Sequence, residues 1–325
     1  MKYGFGGVFV RLTVSVTAIG LTLYILRDKL DEALHIMAAG VRWDWFALAM
    51  LAYILCQGIL ALRLRTIFHG QDIQIRFLGT FYLCLIGNFF NLILPSAVGG
   101  DVAKAYYCYK RCGKKIEATT SVIIDRLTGF FSLMLIALAA LGFLHREIKD
   151  PRISMGVYGF LGLIFLLSLF FINKKFARIF KFLTYVIPER FRTHLSEAYH
   201  AIHSFQRRKK NIAAAILLSL VGQVFLIFIA YWLARSLGVA INPMLFFVLM
   251  PVISIVSMAP SMGGLGVREV GSVYLFSRYM PSETALALSL LLDILIYGFS
   301  LSAGVIYALR GELKAETIHQ MEALE

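Results

Sequence analysis

Leu94-Pro95-Ser96-Ala97-Val98-Gly99-Gly100-Asp101-Val102-Ala103-Lys104 closes the apolar run Phe77–Leu94. It sets a proline, two glycines, an acid and a base where hydrocarbon accepts irregular backbone and charge only against a cavity or a partner. A near copy, Pro260-Ser261-Met262-Gly263-Gly264-Leu265-Gly266-Val267-Arg268-Glu269, follows directly on a second apolar run, Met244–Ala259. The reading of these two stretches decides the fold. They are either loops of a soluble protein or helix breaks inside a membrane.

Composition chooses the membrane. Of the 325 residues 59% are hydrophobic and only 16% charged, with a mean hydropathy of +0.76. A soluble domain would carry about a quarter charged residues. The net charge of +13 fits a basic excess on membrane-side loops. No basic, aromatic-interleaved soluble domain is present, so nucleic acid is not an expected partner. Cys56, Cys84, Cys108 and Cys112 lie in or beside apolar segments without a C-x-x-C pattern, and read as reduced fillers.

A spanning helix needs about 20 mostly apolar residues. The runs that approach this are Val8–Leu26, Trp45–Leu62, Phe77–Leu94, Thr119–Leu144, Gly156–Asn173, Ile212–Leu233, Met244–Ala259 and Thr284–Leu309. No A-x-A-like site follows the first run, which reads as an uncleaved anchor. The polar, basic and aromatic stretch Lys174–Lys210 suggests helices lying on the membrane surface. The expected fold is all-α, a single integral membrane domain over residues 1–325. It has about six full spans and two re-entrant hairpins.

Lysine and arginine placement orients it. Lys174–Lys210 carries ten of these residues and belongs inside. If each motif lies in a hairpin that returns to its own side, both termini are cytoplasmic. The first hairpin then opens inward, flanked by Arg63, Arg65, Arg76 and the Lys110–Lys115 cluster, and the second opens outward. The halves, about residues 45–144 and 211–309, form an inverted repeat. In each a base follows the second glycine by four residues, Gly100 to Lys104 and Gly264 to Arg268. Each then has a serine-led acid, Ser121-x-x-x-Asp125 and Ser289-x-x-x-Asp293, whose members share one helix face.

Inverted repeats with Gly/Pro-broken helices mark transporters that bind cargo near the midplane. Half-helices starting at Gly99–Gly100 and Gly263–Gly264 would point free N–H groups and positive dipole ends inward. With Lys104 and Arg268 beside them these starts are anion sites, and a lipid phosphate is the anion a membrane supplies. The expected binding set is Ser96, Gly99, Gly100, Asp101, Lys104, Asp125, Arg126, Ser261, Gly263, Gly264, Arg268, Glu269 and Asp293. Asp125 and Asp293 would hold the two cations or carry a proton. The plainer alternatives are that the glycines only permit close helix crossing and that the charges neutralise one another. Asn88 and Asn91 could cap or line the first break, and Gln223 reads as a helix–helix hydrogen bond.

No metal or other cofactor is expected. His200 and His203 are three apart on an expected surface helix without a carboxylate cluster. There is no G-x-S-x-G, P-loop or H-E-x-x-H pattern, so no enzymatic activity is expected. An embedded enzyme using Asp101 and Asp125 to hold a metal, or a non-transporting membrane partner protein, stays open as an alternative.

Three motifs in order resemble the lysylphosphatidylglycerol synthase transmembrane region, or flippase-like, family. They are Leu94-Pro95-Ser96-x-x-Gly99-Gly100-Asp101-x-x-Lys104-x-Tyr106, Asp125-Arg126 and Gly263-Gly264-Leu265-Gly266-x-Arg268-Glu269. The resemblance implies a lipid-translocating domain of the cell membrane, as in the lipid-flipping half of the multiple peptide resistance factor. It implies an anionic phospholipid or a polyprenyl-linked lipid as partner, and leaves the oligomeric state open. Lys104 stands where the family often has arginine, and Met262 where it often has proline. Both departures loosen the inference about headgroup. No soluble acyltransferase-like domain follows Leu309, so lipid aminoacylation by this chain alone is not expected.

Overall fold

The computed structural model describes residues 26–93, 99–144, 208–257 and 264–309, and residues 20, 24, 159 and 162 besides. Pro95, Ser96, Pro260, Ser261 and Gly263 lie outside the described residues. So do almost all of Val8–Leu26 and Gly156–Asn173, and all of Lys174–Lys210 except its last three residues. Every element among the described residues is helical.

Helix α1 covers residues 26–40. Four helices follow before residue 145: α2 (Trp43–Gly70), α3 (Phe77–Ile93), α4 (Gly99–Cys112) and α5 (Lys115–Leu144). Four more lie beyond residue 208: α6 (Lys209–Ser236), α7 (Pro243–Val256), α8 (Val267–Phe276) and α9 (Ser282–Leu309). The outer helices, α2, α5, α6 and α9, are long and apolar enough to cross a membrane. The 14 residues of α7 rise about 21 Å at 1.5 Å each, short of a hydrocarbon core of about 30 Å.

Apolar side chains face outward on these helices. On α2 Leu48, Leu51 and Leu55 are exposed while Ala49, Ala52, Tyr53 and Cys56 are buried. On α9 Ile294, Leu301 and Val305 are exposed while Ser289, Asp293, Ser300 and Tyr307 are buried. An exposed apolar stripe backed by a small or polar inner face is the pattern of a helix solvated by lipid, with small residues at the packing seams.

The chain divides into two compact units. The first comprises Met1–Cys56, Tyr82–Lys104 and Phe225–Glu325. In it Leu26 and Ala33 of α1 pack with Val273 of α8 and with Leu286 and Ala287 of α9. The rings of Phe89 and Phe90 on α3 lie 6.0 and 5.6 Å from Tyr307 on α9. Gly304 makes that packing possible, since a Cβ there would collide with the Phe89 ring. Near the ends of α2 and α6, Arg42 N–H donates to Ser236 C=O at 2.8 Å. The Arg235 guanidinium covers the Trp45 ring at 5.5 Å, a cation–aromatic contact suited to a membrane interface.

The second unit comprises Gln57–Phe81 and Ala105–Val224. Ile67 of α2, Ile124 of α5 and Ala215 of α6 form an apolar core in it. One end is tied by Arg208, whose guanidinium reaches both Asp72 carboxylate oxygens at 2.7 and 2.6 Å, and by Lys114 donating to Asp72 C=O at 3.1 Å.

A substitution pair on α9 tests the packing. A Cβ added at Gly298 would meet nothing within 4 Å, whereas one at Gly304 would meet Phe89. Gly298→Ala should be neutral or stabilising by up to about 1 kcal/mol through helix propensity. Gly304→Ala should cost about 1–3 kcal/mol through overpacking. Thermal unfolding of the two variants in detergent separates these outcomes.

Candidate functional site

The described part of helix α4 runs from Gly99 to Cys112. Gly100 lies against α3 so closely that an added Cβ would strike Gly87 C=O. Conversely, a Cβ on Gly87 would strike the Lys104 side chain. Close helix crossing, the plainer alternative for the glycines, is thus seen between Gly87 and Gly100. The Gly100 N–H is also taken, donating to Asn91 Oδ1 of α3 at 2.9 Å. Asp101 sits in the first turn of α4 and accepts from Lys104 Nζ at 3.0 Å. The carboxylate suits the positive helix start, and the i, i+3 spacing brings the base onto it. Both are largely withdrawn from solvent.

The second motif departs from the expected symmetry. Gly263–Gly264 does not start α8. Gly264 and Gly266 take φ of +90° and +91° in the preceding turn, a left-handed region open mainly to glycine. Helix begins at Val267 with Gly266 as its N-cap residue. The Gly266 N–H is satisfied by Glu269 Oε2 at 2.6 Å. Among the described residues Asp101 is in the first turn of α4, and Arg268 and Glu269 are in the first turn of α8.

A cation in a first turn opposes the helix dipole, and α9 compensates it. Arg268 Nε lies 3.0 Å from Asp293 Oδ1, and its Nη2 donates to Tyr297 Oη at 2.7 Å. Ser289, Asp293 and Tyr297 recur at four-residue spacing and share one face. Arg268, Glu269, Asp293 and Ser289 are all more than nine-tenths buried. The structure therefore brings together Gly264, Arg268, Glu269 and Asp293 of the expected set.

In the second unit, Asp125 on α5 accepts from Arg63 Nε at 2.7 Å. Arg63 Nη1 also donates to Ser219 Oγ on α6 at 3.3 Å. The cation held by Asp125 is thus Arg63, where the sequence pattern pointed to Lys104. Arg126 is half-buried next to Asp125 in the chain. Arg63 escaped the sequence reading because it lies one residue past the apolar run Trp45–Leu62 and resembles a loop charge. Helix α2 continues to Gly70 and carries it inside. Tyr297 escaped too, although its place four residues after Asp293 was a usable signal. Among the described residues no cluster of three or more His, Cys, Asp or Glu could hold a metal ion.

Removing Arg63 would leave a buried carboxylate uncompensated, which costs about 3–5 kcal/mol. Arg63→Ala should therefore lower stability in detergent by that order. Arg63→Met combined with Asp125→Leu should recover much of the loss, since replacing both charges by apolar groups is nearly neutral. A double variant as unstable as the single one would contradict the pairing.

Similarity to known proteins puts these features in a family context. A family model described as the lysylphosphatidylglycerol synthase TM region matches residues 8–304. A UPF0104 membrane protein from Pyrococcus horikoshii is 27% identical over 289 residues, covering 80% of this chain and 84% of the relative. The family match spans both glycine motifs and the buried charged pairs Arg63–Asp125, Asp101–Lys104 and Arg268–Asp293, and the chain belongs to the lysylphosphatidylglycerol synthase TM region family of multi-pass membrane proteins.

Proposed function

We propose that this protein is a lipid translocator of the cell membrane, moving an anionic phospholipid or a polyprenyl-linked lipid by its headgroup. One observation carries the reading. Asp101 with Lys104 and Arg268 with Glu269 open two short helices, each behind a glycine-rich break, and both helix starts belong to the same compact unit. Groups of this kind cost at least a few kcal/mol each in hydrocarbon unless compensated. Simple close packing of helices would require none of them.

In this reading α3–α4 and α7–α8 are re-entrant hairpins of opposite sense, related by an inverted repeat. About six full spans surround them, with both termini cytoplasmic. A headgroup phosphate enters between the helix starts and competes with Asp101 for Lys104 and with the carboxylates for Arg268. The carboxylates keep both cations compensated when the site is empty, which limits the desolvation cost of an unloaded carrier. The cycle is one of binding and alternating access. It assigns no bond-breaking step to the chain and needs no cofactor.

Lys104→Ala and Arg268→Ala, reconstituted in vesicles containing a fluorescent phosphatidylglycerol analogue, should each lose at least about tenfold in translocation rate. That factor corresponds to about 1.4 kcal/mol of lost headgroup interaction. Wild-type rates in both folded variants would remove the cations from the mechanism.

A further inference from the structure

The Arg268 cluster does not balance. Two carboxylates, Glu269 and Asp293, face one guanidinium, and all three are more than nine-tenths buried. The groups acting electrostatically on Asp293 are Arg268 and Glu269, and the Glu269 carboxyl lies within hydrogen-bonding reach of it. Helix α7, packed against α8, contributes no ionisable side chain. Helix α8 contributes Arg268 and Glu269, and α9 contributes Asp293 and Tyr297. Helix α1 meets α8 and α9 at Leu26 and Ala33, while α2 and α3 meet α9 at Tyr53 and Phe89. These contacts of α1, α2 and α3 are made by apolar and aromatic side chains. Among the described residues, with every acid ionised, the cluster carries one uncompensated negative charge.

Its hydrogen bonding is incomplete in the same place. Among the described residues neither Asp293 oxygen accepts a hydrogen bond, and the Ser289 hydroxyl one turn earlier on the same face has no partner. Arg268 approaches Asp293 at ion-pair distance without aiming its Nε–H at the oxygen. Two carboxylates side by side have no hydrogen to share. Adding one proton corrects both defects, because a carboxylic acid O–H of one residue donates to the carboxylate of the other.

We propose that Glu269 and Asp293 together hold one exchangeable proton, and that its uptake accompanies entry of an anionic headgroup beside Arg268. On release the carboxylic O–H bond breaks and the proton passes to water, leaving two carboxylates around Arg268. That state repels a phosphate. The protonated state is neutral and admits one, so the proton travels with the anion. The coupling half of this inference rests on the translocation reading, whereas the proton site does not.

Two measurements on the full chain in phosphatidylglycerol–phosphatidylethanolamine vesicles decide it. Infrared difference spectra between acidic and alkaline pH should show a protonated-carboxyl C=O band that is lost as pH rises. Asp293→Asn and Glu269→Gln should each abolish the band, and Asp101→Asn should retain it. Absence of such a band in the wild type, or its persistence in both single variants, overturns the proton site. So does a thermal shift by sodium ion without any carboxyl band, which would make the counter-ion a metal cation. In the second measurement, phosphatidylglycerol-analogue movement should accelerate several-fold under a pH gradient in the wild type and show no gradient response in either variant. Movement indifferent to the gradient in the wild type overturns the coupling while leaving translocation standing. If no lipid moves under any condition the translocation reading fails, and the infrared band still decides the proton.

Discussion

Charge neutrality in a low-dielectric interior is the constraint on which this structure turns. An ionised side chain taken out of water is tolerable only beside a countercharge with satisfied hydrogen bonds. The long helices obey it locally. Arg63, deep on α2, finds Asp125 on α5 at 2.7 Å and Ser219 on α6, so one ion pair fastens three helices of the second unit. Lys104 finds Asp101 on its own helix. Arg268 finds Asp293 across the α8–α9 contact. Of these three pairs, the one at Arg268 has an extra acid beside it, and there two residues with unpartnered buried oxygens, Ser289 and Asp293, also gather.

Glycine serves this balance in two different ways. Gly87 and Gly100 remove side chains so that α3 and α4 approach backbone to backbone, bringing Asn91 onto the Gly100 N–H. Gly264 and Gly266 supply positive φ, so that the chain turns before α8 and its third residue, Glu269, reaches back to the turn. The two motifs look alike in sequence and perform different backbone tasks. What they share is an acid of the chain itself at the positive end of a helix. A phosphate brought to either helix start would meet an anion already in place and would have to compete with it.

Much of this was legible in the residues. Apolar run lengths give the four described spans to within several residues at each end, because the hydrocarbon thickness imposes a minimum length that soluble helices do not face. The second Gly-Gly pair marks the break between α7 and α8, and the Ser-x-x-x-Asp spacing places Ser289 and Asp293 on one face. Asn91 was also readable as a cap. Arg63 was not, because a helix that runs beyond its apolar window gives no compositional warning. Register around the second motif was not readable either. Whether a Gly-Gly pair starts a helix or forms the turn before it depends on φ, which the pattern does not encode.

The sequence by itself determined the class of this protein, its helical order and most of its buried charges. These follow from composition and from a solvent that penalises every unpaired polar group. Only the tertiary structure decided which acid meets which base. Partners such as Arg63 and Asp125 are 62 residues apart, and their meeting depends on helix rotation and crossing set by side-chain volume. At Leu94–Lys104 the sequence marked a break, and the fold set Asn91 on the Gly100 N–H and Asp101 on Lys104. At Pro260–Glu269 it marked another, and the fold left two carboxylates around one arginine.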